Sequence, residues 1–173
     1  MIERNSLLTL PAAAWIEQQI LSAAQASGAL EPFVRQAEKA NNVPPGSLGR
    51  GLFQQTRTTF LLYSLLVLPH SIWTNRGEMK KLLDGLQSPL ARGIQVTRMS
   101  GKSVLPLSEF LRHLRNAVSH ANYDFHGQDF LFWDKSKAGT KIFEATLSNG
   151  QLTNLINDVG KRFANAALAR RVP

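Results

Sequence analysis

The sequence predicts a mainly α protein, a helical bundle with a small antiparallel β hairpin or meander inserted before the C-terminal helix. Apolar residues recur at helical spacing through most of the chain, and the period shortens to that of a strand between residues 123 and 147. The length of 173 residues, 43% of them hydrophobic, suits a single domain with a core of ordinary size.

Two helices are expected at the N-terminus, where residues 1–45 form a helical extension of the single domain 1–173. The first helix begins at Pro11, because proline is favoured at the first helical position, and it ends at Gly28. The second runs from about Glu31 to Ala40 and stops before a cluster of Asn, Pro and Gly residues.

The middle of the chain is expected to supply the centre of the bundle. Ser47 can cap a long helix that Pro69 ends, and the second half of this helix is apolar nearly all round. A further helix is expected from His70 to about Leu86. The Gly, Ser and Pro residues between 93 and 106 then predict an irregular connection.

Three short β-rich segments separated by turn residues predict the β insertion of residues 123–147. After Asn149-Gly150 the apolar residues return to helical spacing and predict a final helix. Its apolar stripe consists of Leu152, Leu155, Ile156, Val159, Phe163, Ala166 and Ala167.

The composition excludes several kinds of chemistry. The chain has no Cys, which rules out disulfides, thiolate metal sites and Cys nucleophiles and suits a cytoplasmic protein. Twenty Lys and Arg against twelve Asp and Glu give a net charge of +8, which favours polyanionic partners. The longest apolar stretch, Phe60 to Leu68, is far shorter than the roughly 20 residues that cross a bilayer, so no membrane partner is expected.

A helix expected from about Leu107 to Ala121 has two contrasting faces. One apolar stripe should face the core: Leu107, Phe110, Leu111, Leu114, Val118 and Ala121. The opposite arc carries groups that bind phosphate or transfer protons: Arg112, His113, Arg115, Asn116, Ser119 and His120. Residues 76–115 contain eight Lys or Arg and three Asp or Glu, so +5 of the net charge lies in or just before this helix.

Other catalytic motifs do not fit. Residues 100–103, Ser-Gly-Lys-Ser, match the end of a phosphate-binding loop, but Val96 stands where its first Gly is required. The sequence has neither a His-Glu-x-x-His pattern nor a Gly-x-Ser-x-Gly elbow. The acidic and His residues between 124 and 129 suit a turn better than a metal site. We therefore expect no metal and no cofactor.

The segment Arg115-Asn116-Ala117-Val118-Ser119-His120 resembles the signature of the HEPN superfamily (higher eukaryotes and prokaryotes nucleotide-binding domain). That signature is an Arg, a polar residue, three variable residues and a His. The flanking Leu114 and Ala121-Asn122 resemble the plasmid and phage-defence branches of the superfamily. The resemblance covers roughly residues 50–170, with the N-terminal extension and the β insertion outside the common pattern.

The resemblance implies a metal-independent endoribonuclease, often the toxin of a toxin–antitoxin pair or an antiphage effector. Such a protein acts on RNA as a homodimer with both motifs in one cleft, and an antitoxin protein is a possible partner. His120 would be the general acid or base, Arg115 would stabilise charge on the phosphorus, and Asn116 would hold the His120 ring or a phosphate oxygen. The expected RNA contacts are Arg112, His113, Ser119 and Lys102.

Helix geometry bears on these roles, and three alternatives to them stay open. On an ideal helix Arg115 and His120 are about 140° apart, which favours pairing across a two-fold axis over pairing within one chain. The same face would also suit plain solvation, or RNA or nucleotide binding without cleavage. A third alternative is a protein-interaction domain in which aromatic residues of the β insertion dock a partner. Those aromatics are Phe130, Phe132, Trp133 and Phe143.

Overall fold

The computed structural model describes residues 4–48, 53–67, 81–99, 105–127 and 129–169. Its helices are named α1 (Arg4–Ala26), α2 (Glu31–Ala40), α3 (Phe53–Leu62), α4 (Leu107–Ser119) and α5 (Asn149–Ala169). A π-helical turn, Tyr63–Val67, continues α3, and a 3-10 turn spans Leu90–Arg92. The strands are β1 (Gln95–Met99), β2 (Tyr123–His126), β3 (Asp129–Lys135) and β4 (Lys141–Ser148).

The strands form one antiparallel sheet in the order β1-β4-β3-β2. Strands β2, β3 and β4 are consecutive, so the predicted meander is confirmed. The irregular connection predicted between 93 and 106 is wrong for Gln95–Met99, because this segment adds to the outer edge of β4. The edge of β4 offers unpaired backbone groups, and satisfying them favours a strand even where the side chains carry little apolar alternation.

The core lies where α4, α5 and the π-helical turn meet the inner face of the sheet. The largest side chains with less than 2% exposure include Leu65, Phe110, Leu114, Phe132, Phe143, Leu147, Leu152, Leu155 and Phe163. The stripe predicted for the last helix is confirmed from Leu152 to Phe163, whereas Ala166 and Ala167 are half-buried. One face of α4 is therefore fixed against a continuous core.

Helix α1 packs along α5. The prediction that it begins at Pro11 is wrong, because the helix starts at Arg4 and contains Pro11 in its interior. Pro11 and Ala12 are buried, and this burial offsets the backbone hydrogen bond that a proline within a helix removes. Gly160 allows the close approach, since a Cβ atom there would lie 2.2 Å from Cδ1 of Trp15.

The predictions for the middle of the chain have mixed outcomes. Helix α2 is confirmed at Glu31–Ala40. Ser47 lies in a turn, and the description of α3 begins at Phe53. Pro69 lies outside the described residues, as does most of the helix predicted from His70 to about Leu86. The described end of that helix is at Leu83.

A buried carboxylate fastens the turn that follows α2. Glu38 is 3% exposed. Its Oε2 accepts the backbone N–H of Gly46 at 2.9 Å, and its Oε1 accepts that of Leu48 at 3.0 Å. The hydrogen bond from Gly46, followed by that from Leu48, lowers the pKa of Glu38 below its ordinary value of 4.5.

This lowered pKa predicts a pH-dependent contribution to stability. The unfolded chain binds the proton more readily than the folded one, so Glu38 stabilises the fold above its unfolded pKa. That contribution disappears as the pH falls through the lower folded pKa. We expect Glu38→Gln to reduce the melting temperature at neutral pH, because one amide end cannot accept an N–H.

The measurement is thermal unfolding of Glu38→Gln and of the wild type, followed by circular dichroism from neutral pH down to about pH 3. The difference in melting temperature should shrink on acidification. A difference that stays constant across this range would contradict the assignment.

Candidate functional site

Helix α4 carries the candidate site, and its packing decides which side chains reach the surface. Pro106 precedes the helix in an extended conformation, and Glu109 in the first turn complements the helix dipole. Phe110, Leu114 and Ala117 have no exposed surface. The helix packs on both β3 and the π-helical turn, so its rotation about its own axis is fixed.

The placement of His113 on the exposed arc is wrong, because the residue is 5% exposed. It lies three residues after Phe110 and four before Ala117, so it borders the apolar stripe, and the sheet covers it. Its ring stacks on Phe143, with ring centroids 4.7 Å apart and an angle of 4° between the planes. His113 therefore offers no surface for direct contact with RNA.

A buried carboxylate from β3 joins α4 to the sheet. Asp134 is 3% exposed. Its Oδ2 lies 2.8 Å from Nδ1 of His113 and accepts Nδ2–H of Asn116 at 2.9 Å. Its Oδ1 accepts the backbone N–H of Lys135 at 2.9 Å. Both oxygens of this carboxylate are thus engaged, which is what burial of a charged group requires.

The two neighbours of the His113 ring determine which of its nitrogens carries the proton. Nη2 of Arg112 lies 3.1 Å from Nε2 of His113. A guanidinium has only donors, so Nε2 is the acceptor in this contact. The ring proton is then on Nδ1, where it donates to Asp134.

Arg115 and Asn116 are joined side chain to side chain. Nε of Arg115 donates to Oδ1 of Asn116 at 3.1 Å, and Nη2 of Arg115 donates to the same oxygen. The other end of the Asn116 amide donates to Asp134. The half-buried guanidinium of Arg115 is therefore linked through one amide to a buried anion.

His120 occupies a different environment at the end of α4. It is exposed and is the C-cap residue of the helix. Its backbone N–H donates to the carbonyl of Asn116 at 3.1 Å. This bond keeps the backbone of His120 in helical register, so the angular offset of about 140° between Arg115 and His120 remains a fair description.

The chain leaves α4 through a Schellman motif. The N–H of Asn122 bonds to the carbonyl of Ala117 at 2.8 Å, and that of Ala121 bonds to Val118 at 3.3 Å. Ala121 has a φ of 52°, a left-handed conformation that ends the helix earlier than predicted. The carbonyl of Asn122 accepts the N–H of Trp133 at 3.0 Å, which ties this exit to β3.

The other candidate residues are more dispersed. Arg112 has a side chain 47% exposed and lies 3.4 Å from Oε1 of Glu109. Ser119 is exposed at the last position of α4. Lys102 lies outside the described residues. Arg112 and Ser119 thus share the helix with Arg115 and His120, and their contact with RNA remains a prediction.

The described part of the chain contains neither a metal-binding cluster nor a membrane-spanning helix. Within it, no group of three or more His, Cys, Asp or Glu side chains is arranged to hold a metal ion. Within the same ranges, no helix is long and apolar enough to cross a membrane.

Sequence reasoning missed Asp134, the residue that organises the site. A signal was available, because Asp134 follows Phe130 and Phe132 at strand spacing and therefore faces the core. A carboxylate at an inward position needs polar partners. The docking role considered for the aromatics of the β insertion is wrong for Phe130, Phe132 and Phe143, which are buried.

The fold and the position of the motif define a HEPN-type helical domain. The family model described as HEPN pEK499 p136 matches residues 10–167, so the chain belongs to this HEPN family. The matched range includes the N-terminal helices and the sheet, which the motif resemblance had left outside the common pattern. Neither the curated proteins nor the solved structures contain a match to the chain. Membership of the HEPN family supports the general interpretation that the chain is a nucleotide-binding or ribonuclease-type module.

The left-handed residue after His120 gives a testable consequence. An alanine in this conformation carries a cost of about 1–2 kcal/mol that glycine avoids, whereas glycine adds about 0.4–1 kcal/mol of entropy to the unfolded chain. We expect Ala121→Gly to raise the free energy of unfolding by about 0.5–1 kcal/mol. Urea denaturation measures this change.

The matched control is Ala138→Gly, an exposed turn position that is not among the residues with positive φ. This variant should be neutral or slightly destabilising. Equal effects of the two substitutions would contradict the C-cap geometry at His120.

Proposed function

We propose that the protein is a metal-independent endoribonuclease of the HEPN type. The observation that carries the proposal is the arrangement of the motif on α4. Arg115 is held through Asn116 to the buried Asp134, while His120 is exposed at the C-cap of the same helix. A fixed cation and an exposed imidazole are the two groups that phosphodiester cleavage by an internal nucleophile requires.

The proposed reaction uses the RNA as its own nucleophile. The 2′-oxygen attacks the adjacent phosphorus and loses its proton, and the bond from phosphorus to the 5′-oxygen breaks as that oxygen gains a proton. The products are a 2′,3′-cyclic phosphate and a 5′-hydroxyl. His120 supplies one of the two proton transfers and a water molecule supplies the other, while Arg115 stabilises the negative charge that accumulates on the phosphoryl oxygens. None of these steps requires a metal ion.

The composite active site is part of the same proposal. With Arg115 and His120 on different sides of α4, a two-fold axis beside the helix would bring Arg115 of one protomer towards His120 of the other. The protein would therefore act as a homodimer with both copies of the motif in one cleft. Asn116 would contribute by holding Arg115, as it does within the single chain.

The substrate surface follows from the charge distribution. Residues 76–115 carry a net charge of +5, eight basic minus three acidic residues, and lead into the motif. Arg112, Ser119 and Lys102 are the proposed contacts to RNA phosphates and sugars. The role we propose is that of a cytoplasmic toxin or antiphage effector, for which an antitoxin protein is a possible partner.

Cleavage that depends on His120 and not on metal is the first expected outcome. We expect His120→Ala to lower the cleavage rate of single-stranded RNA by about 10²–10⁴-fold, because a positioned proton-transfer group is lost. Activity of the wild type should persist in EDTA. The measurement is gel-resolved cleavage of a labelled RNA by purified protein.

His126→Ala is the matched control, since this exposed histidine lies on β2, outside the motif. It should retain the wild-type rate. Activity that appears only with added divalent metal would contradict the mechanism. RNA binding without cleavage would favour the alternative of a non-catalytic binding module.

A mixed dimer tests the composite site. Arg115→Ala protein retains His120 and His120→Ala protein retains Arg115, so each homodimer should be inactive. A heterodimer contains one intact pair and should recover up to half of the wild-type activity, because one of the two Arg115–His120 pairs is complete. Co-expression with two different tags isolates the heterodimer for the cleavage assay.

The parent homodimers, purified in the same way, are the controls. No recovery in a confirmed heterodimer would argue that each chain carries a complete site or that both histidines are required, and either result would contradict a site built from one Arg115–His120 pair. A monomer at the assay concentration would exclude it.

A further inference from the structure

We infer that Asp134 is the positioning residue for Arg115, acting through the Asn116 amide. This inference rests on the proposed function for its catalytic consequence, while its geometric part can be tested without RNA. The hydrogen bonds of this network run from Arg115 to Asn116 and from Asn116 to Asp134. It acts from β3, across the interface between the sheet and α4.

The two ends of the Asn116 amide differ, since one end donates hydrogen bonds and the other accepts them. A carboxylate can only accept hydrogen bonds, so Asp134 requires the Nδ2 end of Asn116. The Oδ1 end must then point the other way, towards Arg115. A guanidinium can only donate, so this is the one orientation of Asn116 that satisfies both neighbours. The carboxylate thereby sets the position of the acceptor that holds Nε and Nη2 of Arg115.

The carboxylate is itself held from several directions. The backbone N–H of Lys135 donates to Oδ1, and Nδ1–H of His113 donates to Oδ2. The His113 ring in turn stacks on Phe143 of β4. Asp134 and His113 are both buried, at 3% and 5% exposure. The orientation of Asn116 is therefore set by two strands of the sheet.

This arrangement gives His113 a role different from RNA contact. By donating to the same oxygen that accepts from Asn116, its ring helps to hold that oxygen in place. The buried residues of the sheet thus act on the half-buried guanidinium of Arg115 through two consecutive side-chain hydrogen bonds.

Asp134→Asn is the test variant, because it keeps the shape of the side chain and removes the charge and one acceptor. We expect kcat for RNA cleavage to fall about tenfold or more, with KM within about twofold, since a displaced Arg115 loses contact with charge that develops in the transition state. In the protein without RNA, the Arg115 Nε–H signal in a ¹H–¹⁵N spectrum should shift or be lost through exchange with water.

The signal is assigned by its absence in Arg115→Lys. Glu38→Gln is the matched control, since it also removes a buried carboxylate that accepts backbone N–H groups, but on α2 instead of β3. It should leave kcat and the Arg115 signal unchanged. An Asp134→Asn protein that is folded and matches this control in both readouts would overturn the inference.

A double variant that exchanges the side chains at positions 116 and 134 controls for a folding defect in the single variants. Asn116→Asp alone places two carboxylates against each other, so it should lose the Arg115 signal. In the double variant Asn116→Asp/Asp134→Asn, the amide nitrogen at 134 takes the place of Oδ2 and donates to the carboxylate at 116, which accepts from Arg115. Nδ1 of His113, which lies against the same atom, then accepts instead of donating, and its ring proton moves to Nε2. We expect the double variant to regain the Arg115 signal and at least part of kcat relative to either single variant.

The two readouts separate the inference from the proposed function. If the wild type cleaves no RNA, the proposed function fails, and the Arg115 signal across the three variants alone decides the positioning role. A double variant that fails to regain the signal would overturn that role, whether or not the wild type is a ribonuclease.

Discussion

Burial of one face of α4 between the sheet and the π-helical turn is the constraint on which the site depends. Phe110 and Leu114 have no exposed surface, and burying side chains of this size contributes about 1.5–3 kcal/mol each. A rotation of α4 would expose them, so its orientation is fixed. That orientation places His113 against the sheet and leaves Arg115 and Asn116 half-buried at the edge of the sheet. Ser119 and His120 are exposed to solvent.

The two motif residues consequently differ in how their side chains are held, in a way that suits their proposed roles. Arg115 is bonded to an amide that a buried carboxylate orients, and a charge-stabilising group gains from such fixed positioning because it pays no reorganisation during reaction. Within the described ranges, His120 is held through its backbone at the C-cap, and its side chain is exposed. Its side chain can adjust to the atoms between which it would transfer a proton.

Much of the fold could be predicted from periodicity. The apolar stripes of α4 and α5 and the meander of β2 to β4 were readable because their faces alternate between core and solvent. Strand β1 was missed because its five residues show little alternation and its formation depends on the edge of β4. The start of α1 was misplaced because tertiary burial of Pro11 outweighed its local preference for a helix N-terminus.

The candidate site was predictable only in part, for a related reason. Arg115, Asn116 and His120 were visible because they lie within six consecutive residues of one helix. Asp134 lies 18 residues beyond Asn116, and its contact depends on how β3 docks on α4, which no local pattern specifies. His113 was misplaced because a residue at the border of an apolar stripe is buried or exposed according to what packs beside it.

The proposal that the motif on α4 promotes attack by the 2′-hydroxyl is tested by identifying the chemical groups at the ends of the cleaved RNA. The measurement compares a susceptible RNA with the same RNA carrying a single 2′-deoxy residue on the 5′ side of the cleaved bond, and identifies the product termini by mass spectrometry. We expect 2′,3′-cyclic phosphate and 5′-hydroxyl ends on the first RNA and no cleavage at the substituted position of the second. Cleavage at the deoxy position, or products with 3′-hydroxyl and 5′-phosphate ends, would contradict it.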